Sequence, residues 1–154
     1  MSFVYRFVND EVVAEDIVQD ALVKLYTHKH YYKNIAKFST WIYTIAGNLA
    51  KTELRKNKRR KVTNLSEMGK DDWEYDIPSG EDTEKTVHGQ FAAKQIHEAI
   101  QSLPDHFREV VILRDIQELS YEEVSSIVEV PLGTVKSRIN RARLQLQEIL
   151  KELR

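Results

Sequence analysis

The sequence predicts an all-α protein in which a flexible acidic linker joins two small helical domains. Apolar residues recur at helical spacing in several stretches, no stretch alternates as a strand does, and glycine and proline number only 5 and 3 in 154 residues. We assign residues 1–61 to the first domain, residues 62–89 to the linker and residues 90–154 to the second domain. A chain of this length can hold two such domains.

Charged residues are unevenly distributed along the chain, although its net charge is only −1. Lysine and arginine dominate residues 51–61 and again residues 131–154, whereas aspartate and glutamate dominate residues 62–90. Two basic zones favour two contacts with nucleic acid, and the acidic zone between them favours a segment that avoids DNA.

The composition excludes several kinds of site. The chain has no cysteine, so disulfides and thiolate zinc sites are excluded and a reducing compartment is expected. No apolar run is long enough to span a bilayer, and the charged residues near the N-terminus do not fit a signal peptide, so we expect a cytoplasmic protein without membrane insertion. The histidines lack HExxH spacing and no glycine-rich phosphate loop occurs, so we predict no enzyme, no cofactor and no metal site.

Two helices are predicted in the first domain. The first spans residues 10–29, and its inward positions hold Val13, Ile17, Ala21, Leu22 and Leu25. Its outward positions hold Asp16, Gln19, Asp20 and Lys24. Residues 31–37 form a polar and aromatic loop. Ser39 is expected to cap the second helix, which continues to about residue 60 with the inward residues Trp41, Ile42, Ile45, Leu49 and Leu54.

Four helices are predicted in the second domain. The first spans residues 90–103 and turns inward Phe91, Ile96, Ile100 and Leu103. Pro104 begins the next helix, whose inward residues are Phe107, Val110, Val111 and Leu113. Ser120 and Glu123 then form a capping box before a helix that buries Val124, Ile127 and Val128. Pro131 stands at the first position of the last helix, which buries Val135, Ile139, Ala142, Leu146 and Ile149.

Residues 119–143, LSYEEVSSIVEVPLGTVKSRINRAR, are typical of a helix-turn-helix. The second helix of this motif enters the major groove by its N-terminal turns, which favours the small residues Gly133 and Thr134 there. The outward side chains that can reach base edges or phosphates are Lys136, Ser137, Arg138, Arg141 and Arg143. A helical hairpin with a solvated basic face is the alternative, but the coincidence of cap, break and basic face favours DNA binding.

The run PLGTVKSRINRAR, preceded by LSYEEV and SLPDHFREVVILRD, resembles region 4 of the extracytoplasmic-function sigma factors of the sigma-70 family. DIVQDALVKLY (residues 16–26) resembles region 2.2, and FSTWIYTIAGNLAKTELRKNKRR (residues 38–60) resembles regions 2.3 and 2.4. The resemblance covers nearly the whole chain, with both motif sets in the right order. It implies a sigma factor that directs bacterial RNA polymerase to specific promoters, with region 4 binding the −35 element of promoter DNA.

The resemblance also implies protein partners. Asp16, Gln19, Asp20 and Lys24 fall in the motif that contacts core polymerase, through the clamp helices of its largest subunit, and the polymerase flap is a further contact. An acidic and amide patch suits an arginine-rich surface. A dedicated anti-sigma factor is also expected. The acidic linker either threads toward the RNA exit path or serves as a solvated tether, and both readings remain open.

The loop at residues 31–37 and the helix after it resemble the part of the family that captures the non-template strand of the −10 element. Melted bases stack on aromatic rings while cations hold the backbone. The available rings are Tyr31, Tyr32, Phe38, Trp41 and Tyr43. The cations are Lys33, Lys37, Lys51 and Arg55. The remaining residues of the expected set, two of them amides that can pair with an extruded base, are Asn34, Asn48 and Thr44.

Three features depart from the usual pattern of the family. Only residues 2–8 precede Asp10, so the helix ahead of region 2.2 is expected to be shortened. Glu118 and Glu129 stand where glycine is common, and a left-handed conformation costs a non-glycine residue roughly 1 kcal/mol. We therefore expect a different turn geometry at Glu129.

Two other function classes share part of the pattern. A free-standing helix-turn-helix repressor or activator would not need residues 16–26 or 38–60, and it would usually dimerise on a palindrome. An adaptor that binds polymerase without reading DNA would not need the basic face of the last helix.

Overall fold

The computed structural model describes residues 2–32, 37–64 and 84–152, which form seven α-helices and no strand, as the fold class predicts. The N-terminal unit, as we call it, contains α1 (Ser2–Val8), α2 (Glu11–Thr27) and α3 (Phe38–Asn64). The C-terminal unit contains α4 (Glu84–Ser102), α5 (Asp105–Val111), α6 (Tyr121–Val128) and α7 (Leu132–Glu152). A 3₁₀ turn at Lys29–Tyr31 follows α2, and a π-helical turn at Ile112–Ile116 follows α5.

Local hydrogen bonds fix where several helices begin. The Asp10 carboxylate accepts a hydrogen bond from the Val13 N–H at 2.9 Å and caps α2. The predicted capping box of α6 is confirmed, since the Ser120 N–H donates to Glu123 at 2.8 Å and the Glu123 N–H donates to Ser120 at 3.1 Å. The predicted cap at Ser39 is wrong, because α3 already begins at Phe38.

Two further boundaries differ from the predictions. Pro131 precedes the first residue of α7, and its carbonyl accepts the hydrogen bond from the Val135 N–H at 3.0 Å. At the linker, α3 continues to Asn64 and α4 begins at Glu84, so both helices extend into the segment predicted to lack structure. Residues 65–83 of that segment lie outside the described residues.

The short helix α1 supplies the aromatic part of the core. Phe3, Val4 and Phe7 are 4%, 2% and 0% exposed, and the rings of Phe3 and Phe7 lie 6.0 Å apart between their centroids. A seven-residue helix is unstable by itself, so packing of these side chains holds it in place. The patterns in the sequence did not predict this contribution.

The helices α2 and α3 approach each other through small residues. In α2 the buried residues are Ala14, Ile17, Ala21 and Leu25, whereas Leu22 is 59% exposed and its inward assignment is wrong. In α3 the deeply buried positions are Thr40, Ala46, Gly47 and Ala50. The predicted stripe of larger residues in α3 is only half-buried: Trp41, Ile42, Ile45, Leu49 and Leu54. Alanine and glycine let helix backbones pack closely, and the larger side chains then lie at the edges of the contact.

The C-terminal unit buries most of its predicted core, although Phe107, Leu146 and Ile149 are only half-buried. Phe91 and Ile96 are 60% and 47% exposed, so their inward assignment is wrong. Among the described side chains of α4, Ala99 and Ile100 in its last turns are buried, and Leu103 just after the helix is buried as well. The predicted core of the helix-turn-helix is confirmed by side chains no more than 8% exposed: Val124, Ile127, Val128, Val135, Ile139 and Ala142.

The two units share one hydrophobic core, which the sequence patterns did not predict. Buried residues from α1, α2, α3, α4, α5, α6 and α7 form a single contiguous cluster. Arg108 joins the units, because its guanidinium donates to the Phe7 carbonyl of α1 at 3.1 Å and to the Leu103 carbonyl at 2.9 Å. Gln101 also donates to the Arg6 carbonyl at 2.6 Å.

Glu118 and Glu129 both adopt the left-handed backbone conformation, with φ of 57° and 56°. The expectation of a different turn geometry at Glu129 is therefore wrong, because the break between α6 and α7 keeps the conformation that glycine favours. Val124 and Ile127 before the turn and Val135 after it are buried, and their packing keeps Glu129 in this strained left-handed conformation.

We expect Glu129→Gly to raise the free energy of unfolding by about 1 kcal/mol, because glycine adopts the left-handed conformation without strain. The matched control is Glu122→Gly in α6, which should lower the free energy of unfolding by about 1 kcal/mol. Urea denaturation followed by circular dichroism measures both. A loss of stability in Glu129→Gly equal to that of the control would contradict this account.

One carboxylate, that of Glu109 in α5, is buried between the units. Glu109 is 4% exposed, and the Lys51 ammonium of α3 lies 3.2 Å from its Oε1 atom. Burial raises the pKa of Glu109, and the nearby charge of Lys51 opposes this rise without cancelling it. Arg138 also lowers the pKa, whereas Asp105 raises it further.

We expect Glu109→Gln to gain stability relative to the wild type as pH rises. The folded state binds the Glu109 proton more tightly than the unfolded state does, because burial raises the pKa of Glu109. The free energy of unfolding that this group contributes is therefore present at low pH and is lost as the pH rises through the raised pKa. Urea denaturation of both proteins between about pH 5 and about pH 8 measures the difference. A difference that does not change with pH would show that Glu109 has an ordinary pKa.

Candidate nucleic-acid interface

The outward face of α7 carries the side chains predicted to read the −35 element. Gly133, Lys136, Ser137, Arg141 and Arg143 are exposed, and Thr134 and Arg138 are half-buried. The opposite face is the buried stripe that begins at Val135, which is 0% exposed. The two faces follow from helical periodicity, and the left-handed turn at Glu129 sets the angle at which α7 leaves α6.

Gly133 leaves open space at the first turn of α7. A Cβ atom built at Gly133 would meet no other atom within 4 Å. Packing within the protein therefore does not require glycine at this position. The open space fits the predicted close approach of a ligand backbone to this turn.

The basic residues of α7 differ in how firmly other groups hold them. The Arg143 guanidinium pairs with both carboxylate oxygens of Asp115, with Nε 3.0 Å from Oδ2, and these hydrogen bonds raise the pKa of Arg143. The Lys136 ammonium lies 5.9 Å from the centre of the Tyr121 ring. No ion pair of Lys136, Arg138 or Arg141 occurs among the described residues. Lys136 and Arg141 are exposed, whereas Arg138 is half-buried and its charge lowers the pKa of Glu109.

An aromatic cluster forms at the start of α3. The Tyr32 ring lies 5.5 Å from the Phe38 ring and 5.2 Å from the Trp41 ring, measured between centroids. Phe38 is 51% exposed, so the cluster presents aromatic surface to solvent. Lys33 and Asn34, which were predicted to lie beside it, are outside the described residues.

The remaining predicted −10 residues divide into two groups. Asn48 and Arg55 are exposed on α3, and Thr44 is half-buried with its hydroxyl donating to the Thr40 carbonyl at 2.8 Å. The second group contacts the C-terminal unit. Its members are Lys37, Tyr43 and Lys51, which contact Glu123 at 2.9 Å, Gln117 at 2.7 Å and Glu109 at 3.2 Å, respectively. Burial raises the pKa of Tyr43.

The outward face of α2 is both acidic and apolar. The predicted residues Asp16, Gln19, Asp20 and Lys24 are all exposed. Sequence reasoning missed the apolar residues beside them, which are Val12, Leu22, Val23 and Tyr26, exposed by 69%, 59%, 62% and 73%. Val12, Asp16, Gln19, Val23 and Tyr26 follow one another at spacings of three or four residues, and that spacing was the available signal.

No helix among the described residues is long and apolar enough to cross a membrane.

Comparison with protein families finds two matches in chain order. The model of "Sigma-70 region 2" matches residues 1–60, and the model of "Sigma-70, region 4" matches residues 93–146. The first match covers α1, α2 and most of α3. The second covers most of α4 to α7, including the helix-turn-helix.

Similar proteins and structures agree with these matches. The chain is 32% identical to the RNA polymerase sigma-H factor of Pseudomonas aeruginosa, over 99% of this chain and 81% of that protein. It is 34% identical to the ECF RNA polymerase sigma factor SigW of Bacillus subtilis, over 97% of this chain and 81% of that protein. The sigma factor RpoE of Bartonella quintana, solved in complex with the anti-sigma factor NepR, superposes with a TM-score of 0.74 at 27% identity, over 97% of this chain and 88% of that chain. The chain therefore belongs to the extracytoplasmic-function RNA polymerase sigma factors of the sigma-70 family.

Proposed function

We propose that this protein directs bacterial RNA polymerase to specific promoters by binding the −35 element with α7 and capturing the −10 non-template strand with α3. The observation that carries the proposal is that one chain presents two surfaces suited to DNA. One is the exposed basic face of α7 in a capped helix-turn-helix, and the other is an aromatic cluster at the start of the basic helix α3. In this proposal the protein acts by binding rather than by catalysis.

The α7 face suits duplex recognition. Lys136, Arg138 and Arg141 extend from the first three turns of α7, where a recognition helix contacts the major groove. Arginine and lysine bind guanine edges and phosphates, whereas Gly133 allows the helix backbone to come close to the DNA. Arg143 is held by Asp115, so we assign it to a phosphate at the rim of the contact rather than to a base.

The start of α3 suits single-stranded DNA. Unstacked bases gain stacking free energy on the rings of Tyr32, Phe38 and Trp41, and this gain offsets the few kcal/mol or so that unpairing costs. The exposed Asn48 amide can pair with an extruded base, and Arg55 can hold the strand backbone. Strand opening therefore needs no ATP.

The α2 face suits core polymerase. Asp16, Gln19 and Asp20 offer acceptors to an arginine-rich surface, and the exposed Val23 and Tyr26 offer apolar area that a partner would cover. Because polymerase works in the cytoplasm, the protein acts there. Among solved neighbours, RpoE is described in complex with the anti-sigma factor NepR, and CnrH in complex with the cytosolic domain of CnrY. We propose an anti-sigma factor as a partner for this chain.

The direct test is run-off transcription with purified core polymerase on a pool of candidate promoters. We expect transcripts that need both this protein and particular promoters. Gly133→Ala should lower this transcription about tenfold, equivalent to about 1.4 kcal/mol of lost binding, because a methyl group fills the space left for DNA.

Gln147→Ala is the matched control, because Gln147 is exposed on the later turns of α7. We expect this variant to support as much transcription by core polymerase as the wild type does. Thermal unfolding of both variants confirms that they fold. Tight and specific duplex binding by the protein alone, without any polymerase-dependent transcript, would favour a repressor instead.

Charge reversal on α2 tests the polymerase contact. We expect Asp16→Arg to weaken binding to core polymerase about tenfold, because an arginine would meet the arginine-rich partner surface that we propose. Glu98→Arg is the matched control, since Glu98 is also exposed but lies on α4, outside the α2 face. Fluorescence anisotropy of the labelled protein titrated with core polymerase measures both. Equal losses in the two variants would contradict a localised contact on this face.

A further inference from the structure

The guanidinium of Arg143 on α7 is held by a carboxylate that lies outside that helix. The Nε–H group of Arg143 donates to Oδ2 of Asp115 at 3.0 Å, and the Nη2 group donates to Oδ1 of the same carboxylate. Asp115 belongs to the π-helical turn at Ile112–Ile116 and precedes Arg143 by 28 residues in the sequence. A two-point pair of this kind fixes the plane of the guanidinium as well as its position.

The backbone that carries Asp115 is itself firmly held. Leu113 in the same turn is 0% exposed, and its carbonyl accepts a hydrogen bond from the Leu119 N–H at 3.1 Å. The Leu119 carbonyl in turn accepts a hydrogen bond from Nη1 of Arg114 at 2.8 Å. The carboxylate therefore projects from a turn anchored in the core, and this turn sets where the Arg143 guanidinium lies.

Tyr121, the first residue of α6, adds a second contact at the same place. The hydrogen bonds to Asp115 raise the pKa of Arg143 most, and a hydrogen bond between Tyr121 and Arg143 raises it further. The centre of the Tyr121 ring also lies 5.9 Å from the Lys136 ammonium and 4.8 Å from the Arg114 guanidinium. Lys136 and Arg143 lie about two helical turns apart on α7, so their side chains share one face.

We propose that Asp115 is a positioning residue that presets Arg143 to bind a backbone phosphate of the −35 duplex. This inference rests on the proposed function, which assigns α7 to duplex DNA and Arg143 to a phosphate. A guanidinium has five N–H donors, so donors remain for a phosphate oxygen after Asp115 and the Tyr121 hydroxyl are bound. The Arg143 side chain is 49% exposed, which leaves those donors accessible to DNA.

The expected effect of Asp115 on DNA binding is opposite to the effect of its charge. A carboxylate close to DNA repels phosphates, so charge alone predicts that its removal tightens binding. A free arginine side chain, however, loses rotamer freedom when it binds, whereas Arg143 has already lost that freedom in its pair with Asp115. We expect this preorganisation to exceed the repulsion, because Arg143 already compensates the charge of Asp115.

The test measures binding of the full chain to a fluorescently labelled duplex of mixed sequence, by anisotropy over a series of salt concentrations. A phosphate contact is the same on any sequence, so the probe needs no particular promoter. We expect Asp115→Asn to weaken binding about threefold. Glu122→Gln is the matched control, because it removes an exposed carboxylate of α6 that has no ion pair among the described residues. Its affinity should equal that of the wild type or exceed it by up to about twofold.

A second comparison shows whether Asp115 acts through Arg143. Arg143→Gln should weaken binding about fivefold and reduce the slope of log affinity against log salt by about 1, as the loss of one phosphate contact does. In the Arg143→Gln background, Asp115→Asn should cause no further loss, because only the repulsion between carboxylate and phosphates is left to remove. Thermal unfolding confirms that every variant is folded at the temperature of the assay.

The remaining outcomes overturn the inference. Unchanged or tighter binding by Asp115→Asn would show that the carboxylate does not position Arg143 or competes with DNA for it. An equal loss in the wild-type and Arg143→Gln backgrounds would show a merely structural role. In these cases the duplex contact of α7 stands. If the wild type does not bind the duplex, or if Lys136→Gln with Arg141→Gln binds as the wild type does, that contact is wrong and the inference falls with it.

Discussion

The guanidinium of Arg108 ties the end of α1 to the end of α4 where the two units meet. It donates hydrogen bonds to four backbone carbonyls, those of Phe7, Ile100, Gln101 and Leu103. These carbonyls belong to the ends of α1 and α4, where a helix leaves acceptors without partners. Burial lowers the pKa of Arg108, but Asp105 nearby opposes that effect. A planar group with five donors can satisfy several carbonyls at once, whereas lysine cannot reproduce that geometry.

The placement of α1 and the course of α5 follow from this contact. Phe7 lies in the core beside the carbonyl that Arg108 binds, and α5 begins at Asp105, one turn before Arg108. The start of α5 in turn fixes Glu109 against Lys51 and Asp105 against Lys58. The group that satisfies two helix ends and the two carboxylates that pair with α3 therefore all lie on one short helix, α5.

Local features were predictable from the sequence, and contacts between distant residues were not. The capping box of Ser120 and Glu123 and the buried stripe of α7 depend on residues within a few positions of each other, so their spacing predicts them. The hydrogen bond from Tyr43 of α3 to Gln117, just after the π-helical turn, joins residues 74 positions apart, and no periodic pattern encodes it. The exposure of Leu22 was missed because an apolar residue on a helix was assumed to face inward, whereas a binding surface also uses such residues.

The same distinction explains which parts of the candidate site could be predicted. The exposed cations of α7 and the exposed acids of α2 follow from helical periodicity within one element. The engagement of Lys37, Tyr43 and Lys51 depends on how α5 and α6 lie on α3. Their partners Glu123, Gln117 and Glu109 lie far away in the sequence, so helical periodicity alone cannot reveal these contacts.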